Sequence, residues 1–193
     1  MTDQRGAAKN SELVYVKPQQ IKGTHLIFRN ACLEDAAFIV ALRTDSKKSQ
    51  YISATSADVQ QQIAWLERYA KDDSQIYFII HDPHMERLGT VRLYDRQKDS
   101  FCWGSWILKE GTPNMYSIES ALIVYHYALS LGFKSAHFEV RKGNASVLRF
   151  HERFGAKMVR ETPEDFFYKI SDQAIAQSLK RYAKFLSSGI TVS

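Results

Sequence analysis

Two short stretches of this chain hold most of the residues whose types and spacing suit chemistry. The first, WILKEGTPNMYSIESAL (106–122), runs from an apolar segment through Gly111 and Pro113 into a helical pattern. A strand that turns into a helix N-terminus makes an anion site, because free N–H groups and the helix dipole point the same way. Glycine normally serves such a turn, since backbone must approach the anion closely. Here Gly111 stands alone and Pro113 removes a donor, so the stretch reads equally as a plain strand-to-helix connection. The second stretch, FEVRKGNASVLRFHERFGAK (138–157), ends a strand at Arg141-Lys142-Gly143, opens a helix at Asn144 and closes it at Gly155. It carries His151, whose ring type exchanges a proton near pH 6.5 (roughly). His151 also shares a helix face with Val147 and Phe154, which suits a hydrogen-bonded core histidine as well.

The elements that must position these stretches follow from hydrophobic periodicity. Residues 1–20 are polar and weakly patterned apart from Leu13–Val16, and read as an N-terminal extension or an added strand; residues 21–193 read as one domain. Thr24–Ala31 is a strand ending near Asn30, and 32–45 is a helix with Leu33, Ala37, Val40 and Ala41 at helical spacing. Ser56 or Asp58 caps a second helix bearing Ile63, Leu66 and Tyr69. Three β-type runs follow at 76–82, 88–95 and 101–108, the last two joined by the polar turn RQKDS. The segment 117–133 is a helix, with Ser117 at the N-cap position, Glu119 in its first turn and Gly132 at its end. Apolar on almost every side, it is expected to be buried, with Tyr125 and Tyr127 as packing residues. A strand at 135–140, the helix of the second stretch, a hairpin-like pair and an amphipathic helix complete the chain. Three meandering strands ahead of a helix-connected strand imply an α+β fold with a mixed sheet.

Composition narrows the function. The chain of 193 residues is 45% hydrophobic with a formal net charge of +5, and its basic residues are scattered rather than gathered in a run. That gives no sign of a nucleic-acid partner, and the mild positive balance suits an anionic small molecule as well as an ordinary surface. Cys32 and Cys102 lie far apart without CxxC spacing, which suggests neither a disulfide framework nor a metal site. No apolar run approaches the length of a membrane span and the N-terminus lacks an apolar targeting segment, so a soluble cytoplasmic protein is the expectation.

Together the strand GTVRLYD, the Trp-rich strand FCWGSWIL, the strand–loop–long helix of 101–132 and the run V-x-x-x-N-x-x-x-x-x-F-H-E-R-F-G-A from Val140 resemble the GNAT superfamily of acetyl-CoA-dependent N-acyltransferases. The likeness spans about 24–170 and is closest to the branch found with amino-sugar and surface-polysaccharide acetyltransferases. It implies a mostly antiparallel sheet splayed between 101–108 and 135–141, with acetyl-CoA in the gap. The pantetheine arm would then pair along Trp106, Ile107, Leu108 and Lys109. The pyrophosphate would lie on Gly111, Thr112, Tyr116, Ser117 and Ile118, and Asn144 would bind from the other side. Two departures from the family pattern stand out. Tyr116-Ser117-Ile118 lies where the family places G-x-G/A, and His151 replaces the tyrosine that commonly protonates the leaving thiolate.

A base must free the acceptor amine of a proton before attack. Glu139, Asp95 and His137 are the candidates, with His137 and Glu139 on one strand face opposite Phe138. A backbone N–H near Trp106 or Ile107 would stabilise the developing oxyanion. Tyr51, Trp65, Arg92 and Tyr94 are candidate acceptor contacts, since aromatic faces stack on sugars and arginine pairs with carboxylate or phosphate; Trp65 and Tyr94 serve a core equally well. The resemblance thus implies acetyl transfer to a primary amine by direct attack, the acceptor an amino sugar carried on a nucleotide. A protein N-terminus or another small amine is the alternative acceptor. A GNAT-like module that binds CoA or a protein without catalysis is the alternative class, and a homodimer is left open.

Overall fold

The computed structural model describes residues 13–46 and 49–193. Of the expected N-terminal extension, residues 1–12 lie outside the described residues. Its remainder packs onto the domain: Tyr15 is buried against Phe133 and its hydroxyl donates to the Tyr94 carbonyl at 2.8 Å.

Nine strands form one sheet: β1 (Gln20–Lys22), β2 (Ile27–Asn30), β3 (Ile76–His81), β4 (Arg87–Gln97), β5 (Ser100–Leu108), β6 (Ser135–Arg141), β7 (Lys157–Glu161), β8 (Asp165–Ile170) and β9 (Thr191–Val192). Their spatial order is β7-β8-β6-β5-β4-β3-β2-β1-β9, and every neighbouring pair except β5–β6 is antiparallel. The helices are α1 (Ala36–Thr44), α2 (Val59–Ala70), α3 (Asn114–Ser130), α4 (Ala145–Arg153) and α5 (Asp172–Arg181). The α+β class and the mixed sheet are as the sequence implies. The pairing of β1 with β9 joins the two ends of the sequence, with Ile21 opposite Val192.

Alternation along β3 divides the interior. Ile76, Phe78 and Ile80 face a large core shared with α3, whereas Tyr77 and Ile79 face a smaller one with Ile39 of α1 and Leu66 and Tyr69 of α2. A strand buried on both faces is apolar throughout, which is why β3 reads as one continuous run. Asp58 caps α2 by accepting from the Gln60 N–H at 2.8 Å.

Helix α3 corrects one expectation. It begins at Asn114 with Pro113 at the N-cap position, nearly a turn before Ser117. Ser117 therefore lies inside the first turn and Glu119 in the second. Glu119 is fully buried and works at long range: its carboxylate accepts from the N–H groups of His25 (2.7 Å) and Leu26 (3.0 Å) and meets His25 Nδ1 at 2.9 Å. A carboxylate buried this deeply persists only when such partners replace water. As expected, Tyr125 and Tyr127 are core residues.

Candidate active site

The parting of β5 from β6 makes the site. The two strands pair at Ser100↔Ser135, Phe101↔Ala136 and Cys102↔His137, and no further. From Trp103 onward they diverge around a cleft of about 190 Å³ whose walls include Trp103, Ser105, Trp106, Phe138, Asn144 and His151. Beyond Cys102 the backbone of β5 on this side has no strand partner, so its donors and acceptors face the cleft.

A bulge sits at the same level. Thr90 pairs with Ile107 and Arg92 with Gly104, so Ser105 and Trp106 together oppose Val91 alone. Ser105 adopts φ 47°, a conformation a side chain rarely takes, and its carbonyl accepts from the buried Thr90 hydroxyl at 2.8 Å. Bulges re-aim backbone groups beside active sites. The Gly-Ser pair inside an apolar strand is the sequence signal for it.

His151 projects from α4 into an aromatic cage. Its ring centroid is 4.1 Å from that of Phe138 and 5.1 Å from that of Trp103. Burial lowers its pKa to about 3, so the ring is neutral at physiological pH. Its Nδ1 is buried without a hydrogen-bond partner, as is Nε1 of Trp103. The structure thus supplies the burial of a core histidine but no partner for Nδ1.

Asn144 caps α4, its side-chain oxygen accepting from the Ser146 hydroxyl at 3.2 Å and the Val147 N–H at 3.4 Å. Trp106 is half-buried on the cleft wall and donates to the Ser120 hydroxyl at 3.1 Å. Ile107 is buried and Leu108 pairs with Gly89. Lys109 closes β5 by donating its N–H to the Leu88 carbonyl, and its ammonium meets Glu86 at 2.8 Å, in a separate cavity with Arg29, His81 and Arg87.

The turn into α3 is shorter than expected. Gly111 has φ 81°, which explains a glycine where nothing crowds its α-carbon. The Thr112 N–H returns to the Lys109 carbonyl and the Tyr116 N–H to that of Pro113. Ser117 and Ile118 are helical, so the amides that lack an acceptor within the helix are those of Asn114 and Met115 instead. Tyr116 stacks on His25 with centroids 6.0 Å apart.

The three candidate bases do not share one place. Glu139 is exposed and reaches both the cleft and a neighbouring cavity toward β8. His137 and Asp95 line only that neighbouring cavity; His137 Nε2 meets Asp95 Oδ2 at 3.2 Å, and His137 Nδ1 meets the Ser100 hydroxyl at 2.8 Å. Cys102 is buried, and desolvation pushes its thiol up to about 12, which removes it as a nucleophile at neutral pH.

On the α1–α2 side, Tyr51 and Tyr94 line the cleft. The Arg92 guanidinium lies 4.6 Å from the Tyr94 ring centroid and 5.5 Å from that of Trp65. Trp65 also stacks on Tyr69. Sequence reasoning missed Thr90, Ser105, Tyr77 and Arg43. The last two gave no local signal, because their place at the site comes from the packing of α1 on the sheet.

Comparison with known proteins gives this arrangement a family. The model of the acetyltransferase (GNAT) domain matches residues 25–157. A search of curated proteins returns no match. Among solved structures, apo FdhC, described as a nucleotide-linked sugar GNAT, is 37% identical over 86% of this chain and 98% of its own, with a TM-score of 0.78. A GCN5-related N-acetyltransferase from Brucella melitensis (14% identity, 92% and 90% coverage, TM-score 0.73) shares the fold. So does a spermidine N-acetyltransferase from Vibrio cholerae, solved with CoA and spermine (14%, 79% and 98%, 0.71). With its sheet opened beyond Cys102 and its strand bulged at Ser105, the chain belongs to the GNAT family of N-acetyltransferases.

Proposed function

We propose that the protein transfers an acetyl group from acetyl-CoA to the primary amine of an amino sugar, nucleotide-linked, by direct attack. The observation that carries the transfer is the unpaired edge of β5 from Trp103 onward, with the bulge at Ser105 set in it. The likeness to the nucleotide-linked sugar GNAT supports the acceptor.

The residues fit acetyl-CoA. The free edge of β5 offers backbone pairing to an amide-bearing arm, and the N-terminal amides of α3 suit a pyrophosphate. Asn144, whose oxygen caps α4, keeps its amide N–H₂ to donate. Bound there, acetyl-CoA supplies an activated thioester. The amides of the bulge polarise a carbonyl placed against them. Glu139, at the cleft margin, accepts the proton of the attacking amine. Overall the bond from the amine nitrogen to the acetyl carbon would form as the carbon–sulfur bond breaks, and the proton taken up by Glu139 would pass on to the leaving sulfur. His151 enters this scheme as a neutral imidazole able to donate one N–H hydrogen bond, since burial denies it the charged form. Direct attack rather than an acyl-enzyme agrees with the raised thiol of Cys102.

Release of free thiol from acetyl-CoA, followed across a panel of nucleotide-linked amino sugars, simple amino sugars, polyamines and N-terminal peptides, tests the reading. Turnover is expected with the first group. Tight CoA binding with no thiol release from any amine would leave a non-catalytic module in its place.

A further inference from the structure

On the α1–α2 face a second cavity, of about 270 Å³, adjoins the cleft: Arg43, Ser53 and the bulge residue Ser105 line both. Among the described residues its lining includes Arg43, Tyr77 and Arg92 and no carboxylate. Arg43 is held in place, with Nε donating to the Thr55 hydroxyl at 2.6 Å and an Nη to the Ser53 hydroxyl at 2.9 Å. Arg92 is clamped beside Trp65 and Tyr94, and its Nε is buried with no hydrogen-bond partner. The Tyr77 side chain is almost wholly buried, 3% exposed, and its hydroxyl lies beside Arg43 and Thr90 without a well-aligned hydrogen bond to either.

Buried polar atoms without partners, here Arg92 Nε and the Tyr77 hydroxyl, are costly, and no acid in the lining balances the charge of Arg92 and the partly exposed Arg43. A ligand that brings oxygen acceptors and negative charge relieves both. Donors from two arginines and a phenol reach more oxygens than one carboxylate offers, and they suit the tetrahedral phosphoryl group, which arginine binds in bidentate fashion. The same charges repel a polyamine.

We infer that this cavity is the phosphate-binding subsite of the acceptor, in which Arg43 and Arg92 hold a phosphoryl group while the amine reaches the bulge at Ser105. The inference rests on the acetyl-transfer reading for the amine end only; the anion subsite stands by itself. Arg43 and Arg92 are then specificity-determining residues that admit phosphorylated amino sugars and turn away spermidine-like amines.

The test is calorimetric titration of the full chain, saturated with CoA so that the cofactor site is closed to competitors, with uridine diphosphate, thymidine diphosphate and inorganic pyrophosphate. A nucleoside diphosphate is expected to bind, and Arg43→Gln and Arg92→Gln each to weaken it about 10- to 100-fold, with CoA affinity unchanged. Arg92→Lys keeps the charge and loses the fork, so it should fall between; it also serves if Arg92→Gln fails to fold. Pyrophosphate binding as tightly as the nucleosides would mean that the nucleoside adds nothing, yet would uphold the anion subsite. In parallel, acetylation of a nucleotide-linked amino sugar should exceed that of the free amino sugar by more than about tenfold, and by more still that of spermidine. Diphosphate binding indifferent to both arginines, or equal acetylation of free and phosphorylated sugars, overturns the inference while leaving acetyl transfer intact. Preference for an amine bearing only a carboxylate overturns the phosphoryl assignment. Arginine-dependent diphosphate binding without thiol release from any amine upholds the subsite and removes the proposed reaction.

Discussion

The imidazole of His151 packs on the ring of Phe138 with centroids 4.1 Å apart, and its Nδ1 is buried without a partner. Burial lowers its pKa to about 3, whereas a histidine in the unfolded chain titrates at about 6.5. Between those values the unfolded chain binds a proton that the folded chain refuses. The stabilisation is complete above the unfolded value and is lost as pH falls through the window, with a slope of up to about 1.4 kcal/mol per pH unit. His81 and His126 are lowered by burial too and act with the same sign, so the parent alone does not isolate His151. Urea unfolding of His151→Phe from pH 7 to pH 4 (roughly, the span between the two titrations) should show a shallower loss of stability than the parent. Superimposable pH profiles would show that the ring does not titrate as its surroundings dictate.

Thr90 holds the bulge by donating its hydroxyl to the Ser105 carbonyl. Thr90→Val keeps the shape and removes the donor, at a cost of about 1–3 kcal/mol if the carbonyl stays unpaired. Because the bulge carries the amides proposed to polarise the thioester carbonyl, kcat should fall by more than about tenfold with little change in acetyl-CoA affinity. A variant that loses stability but keeps kcat would place carbonyl polarisation elsewhere.

Asn144 has two roles in this scheme, and two substitutions separate them. Asn144→Ala loses the cap and should cost about 1 kcal/mol of stability. Asn144→Asp keeps the capping oxygen and removes the N–H₂ donor, so stability should return while acetyl-CoA affinity stays about tenfold low. Full recovery of affinity in the aspartate variant would reduce Asn144 to a cap.

The fold was largely legible because its signals are local. The caps at Asp58 and Asn144, the glycine ends at Gly132 and Gly155 and the double-faced strand at Ile76–His81 can each be read within a few residues. What could not be read depends on distant partners. Ser117 has every local mark of an N-cap, yet the helix starts at Asn114, because Pro113 already has the fixed φ that precedes a first turn. Glu119 looks like a first-turn acid serving the helix dipole, and only its contact with His25 and Leu26, more than ninety residues away in sequence (94 and 93), reveals its use. The candidate site divides in the same way. His151, Asn144 and Trp106 lie in recognisable runs and come together at the cleft, whereas Arg43 and Tyr77 are ordinary helix and strand residues until α1 packs on the sheet.

The parting of β5 from β6 also bears on what the protein keeps out. Strand edges are normally hazards because any passing chain can add to them, and proteins blunt them with charge, proline or short length. Here the free edge lines a cleft that α4 also borders, walled by the rings of Trp103, Trp106 and Phe138. Set in that cleft, its backbone remains available to an extended, amide-bearing chain. The rings that line the cleft therefore stand where charge or proline stands at an exposed edge.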